Sequence, residues 1–149
     1  MHAPHPTDSH APIAAAPGFR HPLRVYWEDT DAGGVVFYAN YLKFFERART
    51  EWLRSRGFGQ EQLRTELGAM FVVVHTNVRY LRPARLDDLL QISVDITDNS
   101  GAAMSFFQTA RRGDDVLAEG DIRIACVDST TFKPRRIPKA VAYTGPLSG

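Results

Sequence analysis

Apolar positions keep a helical period in the first half of the chain and a period of two in the second. Tyr41, Phe45, Ala48 and Trp52 recur at helical spacing, with Leu42 and Leu53 widening the stripe. Lys43, Arg47, Glu51 and Arg54 fall opposite, where Arg47 and Glu51 stand four apart, the spacing of a helical ion pair. This predicts a helix over residues 40–56, with Asn40 as N-cap and Gly57 as its stop. Upstream, Leu23, Val25 and Trp27 alternate with Arg24 and Tyr26, which predicts a strand over residues 19–27. From Phe71 onward, Val72, Val74, Thr76, Val78 and Tyr80 are expected on one face of a strand, and Phe71, Val73, His75, Asn77 and Arg79 on the other. Pro83 should end it. Leu90, Ile92, Val94 and Ile96 then alternate with Gln91, Ser93, Asp95 and Thr97, and further strands are expected over residues 104–111 and 116–127. Residues 60–68 read as a short helix or a loop. Turn residues at Asn99-Ser100-Gly101 and Gly113-Asp114-Asp115 join the later strands closely, so the pairing should be antiparallel. The expected class is α+β, a curved antiparallel sheet wrapped around one long central helix.

The stretch between the first strand and the helix carries the candidate chemistry. Glu28, Asp29 and Asp31 precede Gly33 and Gly34, and the helix opens a few residues later. A carboxylate near a helix start can activate water or attack a carbonyl directly. The free N–H groups of the first helical turn can hold the oxygen that becomes negative. Glycines at 33 and 34 permit tight backbone angles and let a ligand approach the main chain. A plainer reading, an aspartate that caps the turn or the helix, is open at Asp31.

Composition narrows the partners. With 149 residues and a net charge of +1, the chain makes one domain and has no global attraction for nucleic acid. The single cysteine, Cys126, allows neither an internal disulfide nor a multi-cysteine metal cluster, and no metal site is expected. No apolar run is long enough to span a bilayer, and residues 1–18, rich in Pro, Ala and His, lack a secretory pattern. That stretch reads as a disordered tail, residues 19–139 as the domain, and residues 140–149 as a second tail. Cytoplasm is the expected compartment.

The block Tyr26-Trp27-Glu28-Asp29-Thr30-Asp31-Ala32-Gly33-Gly34-Val35-Val36, followed by Asn40-Tyr41, resembles the signature of hotdog-fold acyl-CoA thioesterases of the 4-hydroxybenzoyl-CoA thioesterase type. Similarity continues through Glu46-Arg47-Ala48-Arg49-Thr50-Glu51-Trp52-Leu53-Arg54 and returns at Pro83-Ala84-Arg85-Leu86-Asp87-Asp88 and Lys133-Pro134-Arg135, as in the YbgC-like branch associated with the Tol-Pal envelope system. The resemblance implies a hotdog fold, hydrolysis of acyl-CoA to carboxylate and CoA, and homodimers or homotetramers with active sites between protomers. No cofactor is implied, since coenzyme A is part of the substrate. Asp31 is implied as the catalytic carboxylate and the backbone N–H around Tyr38 as the donor that polarises the carbonyl. Candidate substrate-binding positions are Gly33, Gly34, Val36, Asn40, Arg82 and Arg85. Two positions depart from the branch: many members have His at position 38 and Tyr at position 27. Tyr38 does match the 4-hydroxybenzoyl-CoA thioesterase itself, and a main-chain donor survives the change.

Other residues weigh less. Glu46 is a reserve catalyst whose placement suits an ion pair with Arg49, and His75 has no identifiable partner. Arg79, Arg82, Arg85, Lys133, Arg135 and Arg136 could meet the phosphates of CoA through charge-assisted donors. A different class of function, a non-catalytic module holding an acyl carrier protein or a Tol-Pal envelope partner, fits the same resemblance. A hotdog dehydratase would need a His-bearing helix motif that the chain lacks.

Overall fold

A computed structural model describes residues 18–142 of the chain; of the tails expected over residues 1–18 and 140–149, residues 1–17 and 143–149 lie outside the described residues. Its elements are β1 (Phe19–Arg24), α1 (Asn40–Ser55), a short helical segment α2 (Gln60–Gln62) running on as a wider turn through Leu63–Leu67, β2 (Ala69–Tyr80), β3 (Leu89–Asn99), β4 (Ala103–Arg112), β5 (Asp115–Asp128) and α3 (Lys139–Ala142). The strands form one sheet in the order β1-β3-β4-β5-β2, and every neighbouring pair is antiparallel. This is the helix-and-sheet α+β arrangement read from the two periods.

Helix α1 buries Tyr41, Phe44, Phe45, Ala48, Trp52 and Leu53 against the sheet, where they meet Leu90, Ile92, Phe106 and Ile122. Trp52 meets Phe106 edge-on at 5.4 Å between centroids. A Cβ at Gly120 would come within 2.9 Å of the Phe45 ring, so the missing side chain lets α1 lie close over β5. The buried stripe includes Phe44 and leaves Leu42 exposed, because the face touching the sheet is turned toward Phe44 relative to the expected stripe. Glu51 pairs with Arg54 rather than Arg47, one turn in the other direction.

Three more expectations are corrected. First, β1 stops at Arg24; Val25 is buried, but Trp27 starts a short 3-10 turn, Trp27–Asp29, and stands exposed. The carboxylate of Asp29 accepts from the Tyr26 N–H at 2.9 Å, which folds the chain back before the alternation can reach Trp27. Second, the alternation along β2 changes phase. Val73 lies opposite Ile124 and His75 opposite Arg123, so Val74 is an extra residue in a β-bulge. Phe71 and Val73 therefore share a face with Thr76, Val78 and Tyr80, as the buried partners Ile124 and Ile122 show. Third, packed chain continues past Lys139, because Val141 of α3 is fully buried in the core.

Candidate active site

The link from β1 to α1 is a tight hairpin. Thr30 bridges Val36, the Asp31 N–H donates to Val35 O at 2.9 Å, and the Gly34 N–H returns to Asp31 O at 3.0 Å. Gly34 takes φ +79°, a left-handed angle that costs a side-chain-bearing residue about 1–2 kcal/mol. A second segment clamps the hairpin from outside: Val36 N–H donates to Ala84 O at 2.8 Å, Leu86 N–H to Gly34 O at 3.1 Å, and Val35 bridges Arg85. Ala84 is fixed in turn by its N–H bond to Tyr41 Oη at 3.1 Å. Burial pushes the Tyr41 hydroxyl above its ordinary pKa, against the pull of that Ala84 bond, so it stays a neutral acceptor.

Asp31 sits exposed in this hairpin. Its Oδ1 accepts from the Gly33 N–H at 2.8 Å and the Val35 N–H at 3.4 Å, whereas Oδ2 has no partner among the described residues. The carboxylate is thus both a turn cap and a free acceptor of fixed orientation. Gly33 and Gly34 spend their N–H groups on this turn, and Val36 is buried with its N–H on Ala84. Where α1 begins, the Phe37 N–H donates to Asp29 O and the Asn40 N–H to Phe37 O, while the amides of Tyr38 and Ala39 have no acceptor among the described residues. The Tyr38 ring is exposed and lies 4.9 Å from Phe37 and 6.1 Å from Tyr80, centroid to centroid.

Asn40 is not the N-cap. Ala39 holds that position without a side-chain bond, and the Asn40 amide donates to Asp29 Oδ1 at 2.8 Å instead. Asp29 is buried, with its second oxygen held by Tyr26. This inner pair ties the helix start to the hairpin. The one signal for it was an Asp and an Asn flanking a glycine turn. Glu28 is exposed beside it.

The basic candidates separate. Arg79 pairs with Glu119, Arg82 with Asp115 at 3.5 Å, and Arg135 donates to Leu67 O at 2.7 Å. The Arg85 guanidinium makes no ion pair among the described residues, and its backbone belongs to the hairpin clamp. Lys133 and Arg136 are exposed and far along the sequence from this hairpin. His75 is exposed on β2.

Farther along α1, a cleft of about 60 Å³ opens between Trp52, Phe71, Phe106 and Ile124, with Glu46 and Arg49 also lining it. Arg49 bonds not Glu46 but Gln108, Nη1 to Oε1 at 2.9 Å. Fully buried Gln108 uses its amide on Phe45 O at 3.0 Å and Ser93 O at 3.2 Å. Burial draws the Arg49 guanidinium down to about 10, with Glu46 opposing. Sequence reasoning missed Gln108, whose burial no local pattern announces. Among the described residues no group of three His, Cys, Asp or Glu could hold a metal ion, and no helix is long and apolar enough to cross a membrane.

The thioesterase-like superfamily model matches residues 25–144. The acyl-CoA thioester hydrolase YbgC of Escherichia coli O6:H1 is 48% identical over 124 residues, covering 83% of this chain and 92% of that protein. The acyl-CoA thioesterase YbgC of Haemophilus influenzae is 46% identical, covering 83% and 91%. Among solved structures, a probable thioesterase from Bartonella henselae superposes with a TM-score of 0.79 at 38% identity, covering 82% of this chain and all, 100%, of that one. The chain belongs to the thioesterase-like superfamily and, within it, to the YbgC-like hotdog thioesterases.

Proposed function

We propose that this protein hydrolyses acyl-CoA thioesters, with Asp31 as general base or nucleophile and the Tyr38 N–H as the donor to the carbonyl oxygen. The observation that carries the reading is the half-held carboxylate: Oδ1 is fixed by two amides and Oδ2 has no partner among the described residues, in the hairpin that leads into a helix start whose Tyr38 and Ala39 N–H groups have no acceptor among them either. In the general-base course, Asp31 takes a proton from water, and the oxygen of that water bonds to the thioester carbon. Carbonyl electrons move onto the oxygen facing Tyr38. The C–S bond then breaks, and the thiolate takes the proton from Asp31, giving carboxylic acid and CoA. One donor of this kind contributes on the order of 3 kcal/mol to the transition state.

Relatives named for acyl-CoA thioester hydrolysis support the substrate class. Arg85 is the cation best placed for phosphate, and the cytoplasm is where acyl-CoA is at hand. Strand β2 pairs only β5 among the described residues, leaving a twelve-residue edge with Val73 and Val74 exposed. Antiparallel pairing of two such edges forms a homodimer. It sets the Tyr80 end of one strand beside the Ala69 end of the other, so that each hairpin faces a neighbour's cleft. Light scattering should give at least twice the mass of one chain; a monomer at micromolar concentration would remove this assembly.

The test of function is turnover of a panel of acyl-CoAs and acyl-carrier-protein thioesters by the purified protein and by Asp31→Asn. Hydrolysis that disappears in the variant is expected. Carrier-protein binding without turnover of any thioester would replace the enzyme with a binding module.

A further inference from the structure

We propose that Trp27 and Tyr26 form a stacking platform for the purine base of coenzyme A, which makes this chain select CoA thioesters over carrier-protein thioesters. The proposal rests on the thioesterase reading and identifies which end of the substrate the protein grips.

Trp27 is 74% exposed, the most exposed large apolar side chain among the described residues, and Tyr26 beside it is 61% exposed. Both belong to a rigid piece of backbone. The Tyr26 N–H is held by Asp29 Oδ2 at 2.9 Å, and Trp27 O accepts from both the N–H of Thr30 at 3.0 Å and its hydroxyl at 2.9 Å. An exposed indole on a backbone fixed this firmly keeps its ring ready for a planar partner at little ordering cost. The two rings, with Glu28, Leu86 and Asp87, line an open recess of about 590 Å³, within the range of small-molecule sites.

The walls favour a base over a phosphate. Glu28 and Asp87 offer only acceptors, which repel a diphosphate and suit the exocyclic amine of a purine. Leu86 gives the ring edge an apolar contact. Arg85, adjacent in sequence and without an ion pair among the described residues, is free for the phosphates.

The recess is also continuous with the reactive hairpin. Leu86 N–H bonds Gly34 O at 3.1 Å and Arg85 bridges Val35. From Trp27 to Asp31 the chain advances four residues, at most about 14 Å. In CoA the pantetheine arm and diphosphate separate sulfur from purine by more than that when extended, so one molecule reaches both places. A carrier-protein thioester has the same arm but no purine, and leaves the platform empty.

The test compares the unaltered protein with Trp27→Ala and Trp27→Phe on an acyl-CoA and the matching acyl-pantetheine. Trp27→Ala should raise KM for acyl-CoA about ten-fold, toward the lower end of what one base–aromatic stack is worth. Its kcat should not change, nor should either constant for acyl-pantetheine. Trp27→Phe should keep most of the affinity. An unchanged KM, or an equal rise for both substrates, overturns the proposal; so does an unchanged KM with an altered oligomer size, which would make Trp27 a contact between copies. Quenching of Trp27 fluorescence by CoA, taken as the difference from Trp27→Ala, reports the platform without turnover. Quenching without hydrolysis would sink the thioesterase reading alone, and hydrolysis without quenching would sink the platform alone.

Discussion

On the inner side of the hairpin, Asp29 is buried and both of its oxygens are occupied, one by the Tyr26 N–H and one by the Asn40 amide. On the outer side, two residues later, Asp31 is exposed and only one oxygen is held. The same side chain thus plays two parts, and the hydrogen-bond inventory separates them. A buried carboxylate with both oxygens engaged is scaffold, and removing it strands their donors. A carboxylate anchored by one oxygen keeps a fixed direction and a spare acceptor, which is what a base or nucleophile needs.

The largest effect that can break this contrast is on turnover. Asp31→Asn keeps an acceptor oxygen for the Gly33 N–H but loses the charge. Its kcat should fall by at least about 100-fold, while the urea midpoint stays within about 0.5 kcal/mol of the parent. Normal kinetics from a folded variant would make Asp31 a turn cap and nothing more.

The inner residue should show the opposite profile. Asp29→Ala leaves the Tyr26 N–H and the buried Asn40 amide without acceptors, a cost of about 2–3 kcal/mol. Chemical denaturation should show that loss, while the protein that remains folded retains turnover within about ten-fold, a loss smaller than general acid–base catalysis contributes. A stable Asp29→Ala variant that is catalytically dead would exchange the two assignments.

Much of this arrangement could be read beforehand, and the parts that could not share a cause. The order of strand, helix and four strands follows from the switch in apolar period, because burial of one face is written directly in residue type. The turn at Gly33 and Gly34 was legible for a similar reason, since an aspartate ahead of a glycine pair caps such a turn, and Asp31 Oδ1 accepts from the Gly33 N–H. The Val74 bulge was not legible: a single extra residue leaves composition unchanged and only the partner strand shows the slip. Nor was the partner of Asn40. Capping by its own side chain is a local option, and the bond to Asp29 wins only because the hairpin brings position 29 back to the helix start. Trp27 illustrates the same point, since alternation put it inside and one carboxylate–amide bond turned it out.

A third carboxylate sharpens the contrast by separating burial from pairing. Asp95 on β3 is half-buried like neither of the others, and no donor is hydrogen-bonded to its carboxyl among the described residues. Burial pushes its pKa up, with Arg20 and then Arg111 pulling it back. An unfolded aspartate titrates near about 3.9, so the folded protein holds this proton more tightly than the unfolded chain does. The stability that Asp95 contributes is therefore complete below the unfolded value and is lost as pH rises through the raised folded one. Asp95→Asn removes the titration, and should raise the urea midpoint at pH 7 by the equivalent of less than about 1 kcal/mol, small because solvent still screens a half-exposed group. The advantage should shrink toward nothing at about pH 4. If the variant is instead weaker at pH 7, attraction to Arg20 and Arg111 outweighs burial there. Nearby cations alone would then suffice to hold a carboxylate in place, and the distinction drawn between Asp29 and Asp31 from their amide partners would lose its footing.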